Sequence, residues 1–254
     1  MTAMDVLTER TLGGLKVRPV ETSVDYINML VYGDPGVGKT VLAGTASLVP
    51  EMAPVLCIDI EGGTLSVAAQ KLDVDVVRVK TWTEMQAVYD ELYRGTEYRT
   101  IVLDSITEIQ KFSMNQIMEA VTKADPGRDP DIPSMREWGK NIEQLRRLTR
   151  AFRDLPMNTI VTALAKSDKD PRTGLNKTKP SLSGKLADEV AGFFDEVFYM
   201  YVKVVDGNLQ RLLLTSKTDT QEAKDRSGRM PTVLEDPNMP VIYTAMFNTQ
   251  QENS

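Results

Sequence analysis

The sequence predicts an α/β fold, a mostly parallel central sheet flanked by helices with an antiparallel edge toward the C-terminus. Three observations carry this. Short, nearly continuous apolar runs alternate with segments long enough for helices, the pattern of strands covered on both faces. A glycine-rich stretch, residues 33–40, directly follows the first run and precedes a helix candidate. Asp206-Gly207-Asn208 separates two β-rich stretches, where Asp and Gly tolerate the positive φ of a tight hairpin.

In chain order, the spacing predicts strands over 27–32, 55–60, 74–79, 100–103 and 159–164, and helices over 40–48, 83–93, 106–121 and 136–155. The last helix has the clearest pattern. Ile142, Leu145, Leu148, Phe152 and Leu155 recur at three and four while arginines take the other faces, and Pro156 then stops it. Residues 166–180 read as a loop rich in Lys, Asp, Gly and Pro, 185–194 as a helix, and 196–204 with 210–216 as the hairpin. Residues 1–25 form an N-terminal arm and 26–247 the folded domain. The polar tail 248–254 is expected to be disordered.

With 254 residues, 41% hydrophobic and 26% charged, the chain can bury one substantial core. Its apolar stretches are far shorter than the ~20 residues needed to cross a bilayer, and charges interrupt the first 25 residues, so no membrane span or secretory leader is expected. Cys57 is the only cysteine, which fits a reducing cytoplasm. The chain contains no histidine, which excludes imidazole bases, Ser-His-Asp triads and His-ligated metals. Chemistry must run on carboxylates, lysines, hydroxyls and a bound metal.

Gly33-Asp34-Pro35-Gly36-Val37-Gly38-Lys39-Thr40 has the spacing of a phosphate-binding loop. Glycines allow successive backbone N–H groups to turn inward at a helix start, Lys39 can reach the β- and γ-phosphates of ATP, and the Thr40 hydroxyl can ligate Mg²⁺. Thr100-Ile101-Val102-Leu103-Asp104 is a strand ending in a carboxylate suited to the same Mg²⁺. The residue after Asp104 is Ser105, so a water-activating acid must come from elsewhere. Glu61, after the strand 55–60, is the candidate, because the C-terminal ends of parallel strands gather where the phosphates bind.

The pair Ile58-Asp59-Ile60-Glu61-Gly62 and Val102-Leu103-Asp104-Ser105 resembles the RecA/RadA recombinase ATPase core. The resemblance runs in order and spacing from about residue 25 to 237. It looks closest to short phage-encoded ATPases that keep only this core and assist single-strand annealing, a likeness strengthened by Leu213-Leu214-Thr215-Ser216-Lys217 and Glu222-Ala223-Lys224-Asp225-Arg226. It implies a RecA-like fold, ATP hydrolysis with Glu61 as the catalytic glutamate, single-stranded DNA and a single-strand-binding protein as partners, and a homo-oligomer, ring or filament. It also implies a cation from the neighbouring subunit, for which Lys217, Lys224 and Arg226 are candidates. Recombinases carry a γ-phosphate-sensing glutamine near Leu164, which this chain lacks; Lys166 or Thr162 could take that role.

In recombinases, segments corresponding to residues 123–130 and 166–180 face single-stranded DNA. Charge supports the second: between Lys166 and Lys185 six basic residues stand against two acids, although the whole chain carries a net charge of −6. Arg128, Lys166, Lys169, Arg172, Lys177 and Lys179 are therefore the expected DNA contacts, through backbone phosphates rather than stacking. A ring-forming helicase or packaging motor, and a nucleotide-gated module that recruits a single-strand-binding protein, are the alternative functions.

Overall fold

The computed structural model describes residues 10–17, 26–170 and 173–247. The elements are β1 (Arg10–Leu12), β2 (Leu15–Val17), β3 (Asn28–Gly33), α1 (Lys39–Gly44), β4 (Val55–Asp59), α2 (Leu65–Ala69), β5 (Val74–Arg78), α3 (Trp82–Arg94), β6 (Thr100–Asp104), α4 (Ile106–Ala124), α5 (Met135–Arg153), β7 (Asn158–Lys169), β8 (Asn176–Pro180), α6 (Leu186–Glu189), β9 (Glu196–Val205), β10 (Asn208–Leu214), β11 (Lys224–Asp225), β12 (Val233–Glu235) and α7 (Met239–Phe247).

The main sheet runs β12-β10-β9-β3-β7-β6-β4-β5. Its strands from β9 to β5 are parallel, and β10 and β12 add an antiparallel edge. Strand alternation sorts the core into two layers. Leu30 and Tyr32 of β3, Ile58 of β4, Ile101 and Leu103 of β6 and Val161 of β7 face the layer covered by α3, α5 and α6. Met29, Val31, Cys57, Val102 and Ile160 face the opposite layer with Leu42 of α1 and Ile242 of α7. Cys57 is 2% exposed, and burial pushes its thiol pKa well up.

The long helix α5 starts as its sequence requires. The Ser134 hydroxyl accepts from the Arg136 N–H, while the Glu137 carboxylate accepts from the Ser134 N–H at 2.7 Å. These hydrogen bonds from Ser134, with Arg128 alongside, hold the Glu137 carboxyl at about 2. The β9–β10 hairpin turns on Asp206 and Gly207, at φ 50° and 79°.

Four expectations, those over 166–180, 74–79, 185–194 and 40–48, are corrected. Residues 166–180 are not an irregular loop: β7 continues out of the sheet to Lys169 and pairs antiparallel with β8. The run 74–79 is not covered on both faces, because β5 is the edge of the sheet and Val76 is 47% exposed. The helix over 185–194 breaks after one turn, and 40–48 passes from α1 into a 3-10 turn. Within the N-terminal arm, residues 10–17 form a two-stranded hairpin; its remaining residues and the tail 248–254 lie outside the described residues. No described helix is long and apolar enough to cross a membrane.

Candidate active site

Strand β3 delivers the chain to the C-terminal edge of the sheet at Gly33, squeezed against β9. A Cβ at Gly33 would lie 2.2 Å from the Met200 carbonyl oxygen, so only glycine fits there. The loop then turns through Gly36 and Gly38, at φ 78° and 111°, values that side chains with a Cβ rarely adopt. A Cβ at Gly36 would meet nothing within 4 Å, so the loop is open above this residue. The first N–H groups of α1, which no helical carbonyl can satisfy, lie at this turn. The Lys39 ammonium donates to the carbonyls of Gly33 at 3.0 Å and Asp34 at 2.9 Å, spanning the loop. Burial pushes the Lys39 pKa down, and the carboxylates of Glu61, Asp104 and Asp34 pull it back up.

Asp104, at the end of β6, is 1% exposed and accepts from two hydroxyls. Thr40 donates to Oδ2 at 2.7 Å, and Thr162 of β7 donates to Oδ1. β7 lies between β3 and β6, so the loop strand and the aspartate strand are not neighbours, and the third residue of the cluster comes from the strand that separates them. The peptide joining Asp104 to Ser105 is cis.

The turn after β4 closes over the pair. Asp59 accepts from the N–H of Gly62 at 2.7 Å and of Gly63 at 3.3 Å, and its other oxygen lies 3.5 Å from the Arg78 guanidinium. A Cβ at Gly63 would stand 3.5 Å from Asp104 Oδ2 and 3.6 Å from Thr40 Oγ1, so the Gly63 backbone covers the aspartate–threonine pair. The backbone N–H of Ile60 donates to the Asp104 carbonyl at 2.9 Å, and the Ser105 hydroxyl donates to the Glu61 carboxylate. The structure thus brings Lys39, Thr40, Glu61 and Asp104 together.

The donor set suits the group the motif implies. Among the described residues no cluster of three or more Cys, Asp and Glu side chains could hold a metal alone. One hydroxyl and one carboxylate, both hard oxygen donors beside an anion-binding loop, are what Mg²⁺ uses when phosphates and water complete its shell. Thr40 and Asp104 would hold it.

The expected DNA contacts do not form one free basic surface. Arg128 pairs with Glu137 at 3.1 Å, Lys177 with Asp170 at 2.5 Å and Lys179 with Asp188 at 2.8 Å. The Lys166 ammonium donates to the Leu182 carbonyl at 2.7 Å, whereas Lys169 is exposed near the hairpin tip. Arg172 lies outside the described residues. The intersubunit cation candidates also have partners within the chain. Lys217 pairs with Glu222 and Arg226 with Asp195, while Lys224 is partly buried and donates to the Ala191 and Phe194 carbonyls.

Sequence reasoning left Thr162 as one of two options and gave no role to Ser105, Gly63 or Arg211. Ser105 and Gly63 are contiguous with the quoted motifs. Arg211 has no motif at all, and only strand pairing brings it to the loop.

Residues 25–227 match the AAA domain family. No curated protein matches the chain. Among solved structures it is similar to a KaiC-like protein, PH0186, from the hyperthermophilic archaeon Pyrococcus horikoshii OT3, at 15% identity and a TM-score of 0.45 over 78% of this chain and 81% of that one. It is also similar to the flagellar accessory protein FlaH from Methanocaldococcus jannaschii, at 13% identity and a TM-score of 0.43 over 74% and 78%. The family match spans the phosphate loop, Glu61 and Asp104, and the chain belongs to the AAA domain family as a P-loop NTPase domain.

Proposed function

We propose that this chain hydrolyses ATP with Mg²⁺ and that single-stranded DNA on the β7–β8 hairpin controls the reaction, in the service of annealing or recombination. The observation that carries the reading is the path of β7. The strand that places Thr162 on Asp104 runs without a break to Lys169 at the hairpin, so a displacement of the hairpin reaches the metal-site carboxylate through one continuous backbone.

In this mechanism the glycine loop and Lys39 bind and orient the phosphates, and Thr40 and Asp104 fix the metal. Mg²⁺, when bound, supplies neutralisation of the phosphate charge. The Glu61 carboxylate, oriented by the Ser105 hydroxyl, accepts a proton from the attacking water. Thr162 holds the second oxygen of Asp104 and takes the place of the sensing glutamine. A cation from a neighbouring copy completes the site in the assembled form.

ATP turnover measured with and without single-stranded DNA, alongside electron micrographs of the same mixtures, tests this. DNA-stimulated hydrolysis on rings or filaments is the expected result, and annealing of complementary strands separates it from a translocating motor. Slow turnover indifferent to DNA would overturn the DNA-controlled reading and favour a nucleotide-gated module.

A further inference from the structure

A second cation stands over the phosphate loop, supplied by the antiparallel edge of the sheet. Arg211 lies on β10 opposite Val202 of β9, two residues before Leu213. Leu213 is fully buried on the same layer as α1, together with Met200. Side chains two apart on a strand share a face, so Arg211 occupies the next position along the core-facing row, where the row reaches the loop. Its Nε is 3.1 Å and its Cδ 3.3 Å from the point a Cβ on Gly38 would take, and Met200 Cε is also 3.1 Å from that point. The arginine therefore rests directly on the residue that precedes Lys39 and caps α1.

Among the described residues no carboxylate pairs with Arg211. Its backbone carbonyl accepts from the Asp236 N–H at 3.0 Å, and its side chain is exposed beside the glycine loop. An anion held on the loop would receive charge-assisted hydrogen bonds from its guanidinium.

We infer that Arg211 is a nucleotide-binding residue, reaching over Gly38 from within the same chain to the phosphates held at the start of α1, the α- and β-phosphates common to nucleoside di- and triphosphates. The inference rests on the phosphate-loop reading given above. Because the contact is within one chain, it operates without assembly, in contrast to a cation donated by a neighbour.

The test compares dissociation constants of ADP and a non-hydrolysable ATP analogue for wild type, Arg211→Ala, Arg211→Lys and Lys39→Ala, with the melting temperature of each nucleotide-free protein. Arg211→Ala is expected to weaken both nucleotides by a similar factor, about 10- to 100-fold, as for loss of a charged hydrogen-bond donor, with the nucleotide-free melting temperature unchanged. Arg211→Lys keeps the charge on a different stem and is expected to recover part of the loss, and it serves in place of Arg211→Ala if that variant folds poorly. Wild-type affinity in both Arg211 variants, with binding abolished in Lys39→Ala, would overturn the role of Arg211 and leave the loop assignment intact. Normal binding in Lys39→Ala would instead overturn the loop assignment itself, and this inference with it.

Discussion

Strand β7 passes through two environments, and its halves behave differently. From Asn158 to Ala163 every residue is buried between β3 and β6, so each side chain has one destination; the Thr162 hydroxyl has Asp104. From Ser167 to Lys169 the strand is exposed and pairs only with β8, and Lys177 and Lys179 of β8 find acids nearby. A buried strand end fixes chemistry tightly. An exposed basic segment divides its charge between its own fold and any partner.

Four experiments break or sharpen that contrast. The largest effect is expected beside the carboxylate that the buried half of β7 holds: Glu61→Gln removes the proton acceptor and should lower kcat by about 10²- to 10⁴-fold while nucleotide affinity survives, as read by single-turnover hydrolysis beside equilibrium binding. Unchanged turnover would remove Glu61 from the chemistry.

Thr162→Val keeps the shape and deletes the hydroxyl on Asp104. A loss of about 1–3 kcal/mol at a buried charged acceptor should appear as a raised Mg²⁺ requirement for turnover. If the Mg²⁺ titration is unmoved, β7 does not link the hairpin to the metal site.

Glu196 provides a buried carboxyl at the opposite, N-terminal end of the parallel strands. Burial, then the neighbouring Asp225 carboxylate, raise its pKa to about 8. A raised pKa means that the folded protein holds this proton more tightly than the unfolded chain, so the contribution is full below the usual glutamate range and is lost as pH climbs to about 8. Glu196→Gln should flatten the fall in melting temperature across that window. A wild-type slope in the variant would mean that another group carries it.

The smallest effects belong to the exposed half. Each cation that contacts DNA phosphates should reduce the slope of log affinity against log salt by about 0.7 for single strands. Lys169→Gln is expected to do so fully, and Lys177→Gln and Lys179→Gln less, since Asp170 and Asp188 already balance part of their charge. Equal slopes for all three variants and wild type would place DNA elsewhere.

The same contrast explains what could be read from the sequence. The inner parallel strands were legible because burial on both faces demands unbroken apolar runs, and the phosphate loop because its glycines and Lys39 answer to a fixed spacing. β7 beyond Leu164 was not legible as a strand. Its pairing with β8 leaves polar residues exposed, so no periodic pattern marks it. The ion pairs of Lys177, Lys179 and Arg128 depend on acids brought close by folding, and a charge count over a segment does not contain them. Arg211 looked like an ordinary strand residue until the β9–β10 register placed it against Gly38.

Cys57 has a practical consequence for testing whether the β7–β8 hairpin moves. The chain's single thiol sits inside β4, almost without solvent contact and held protonated by burial, so alkylating reagents have little purchase on it in the folded protein. A cysteine introduced at Thr173, beside the β7–β8 turn, would then be the one reactive position. A fluorophore or spin label there would report hairpin movement during nucleotide turnover without first stripping the protein of its native sulfhydryl.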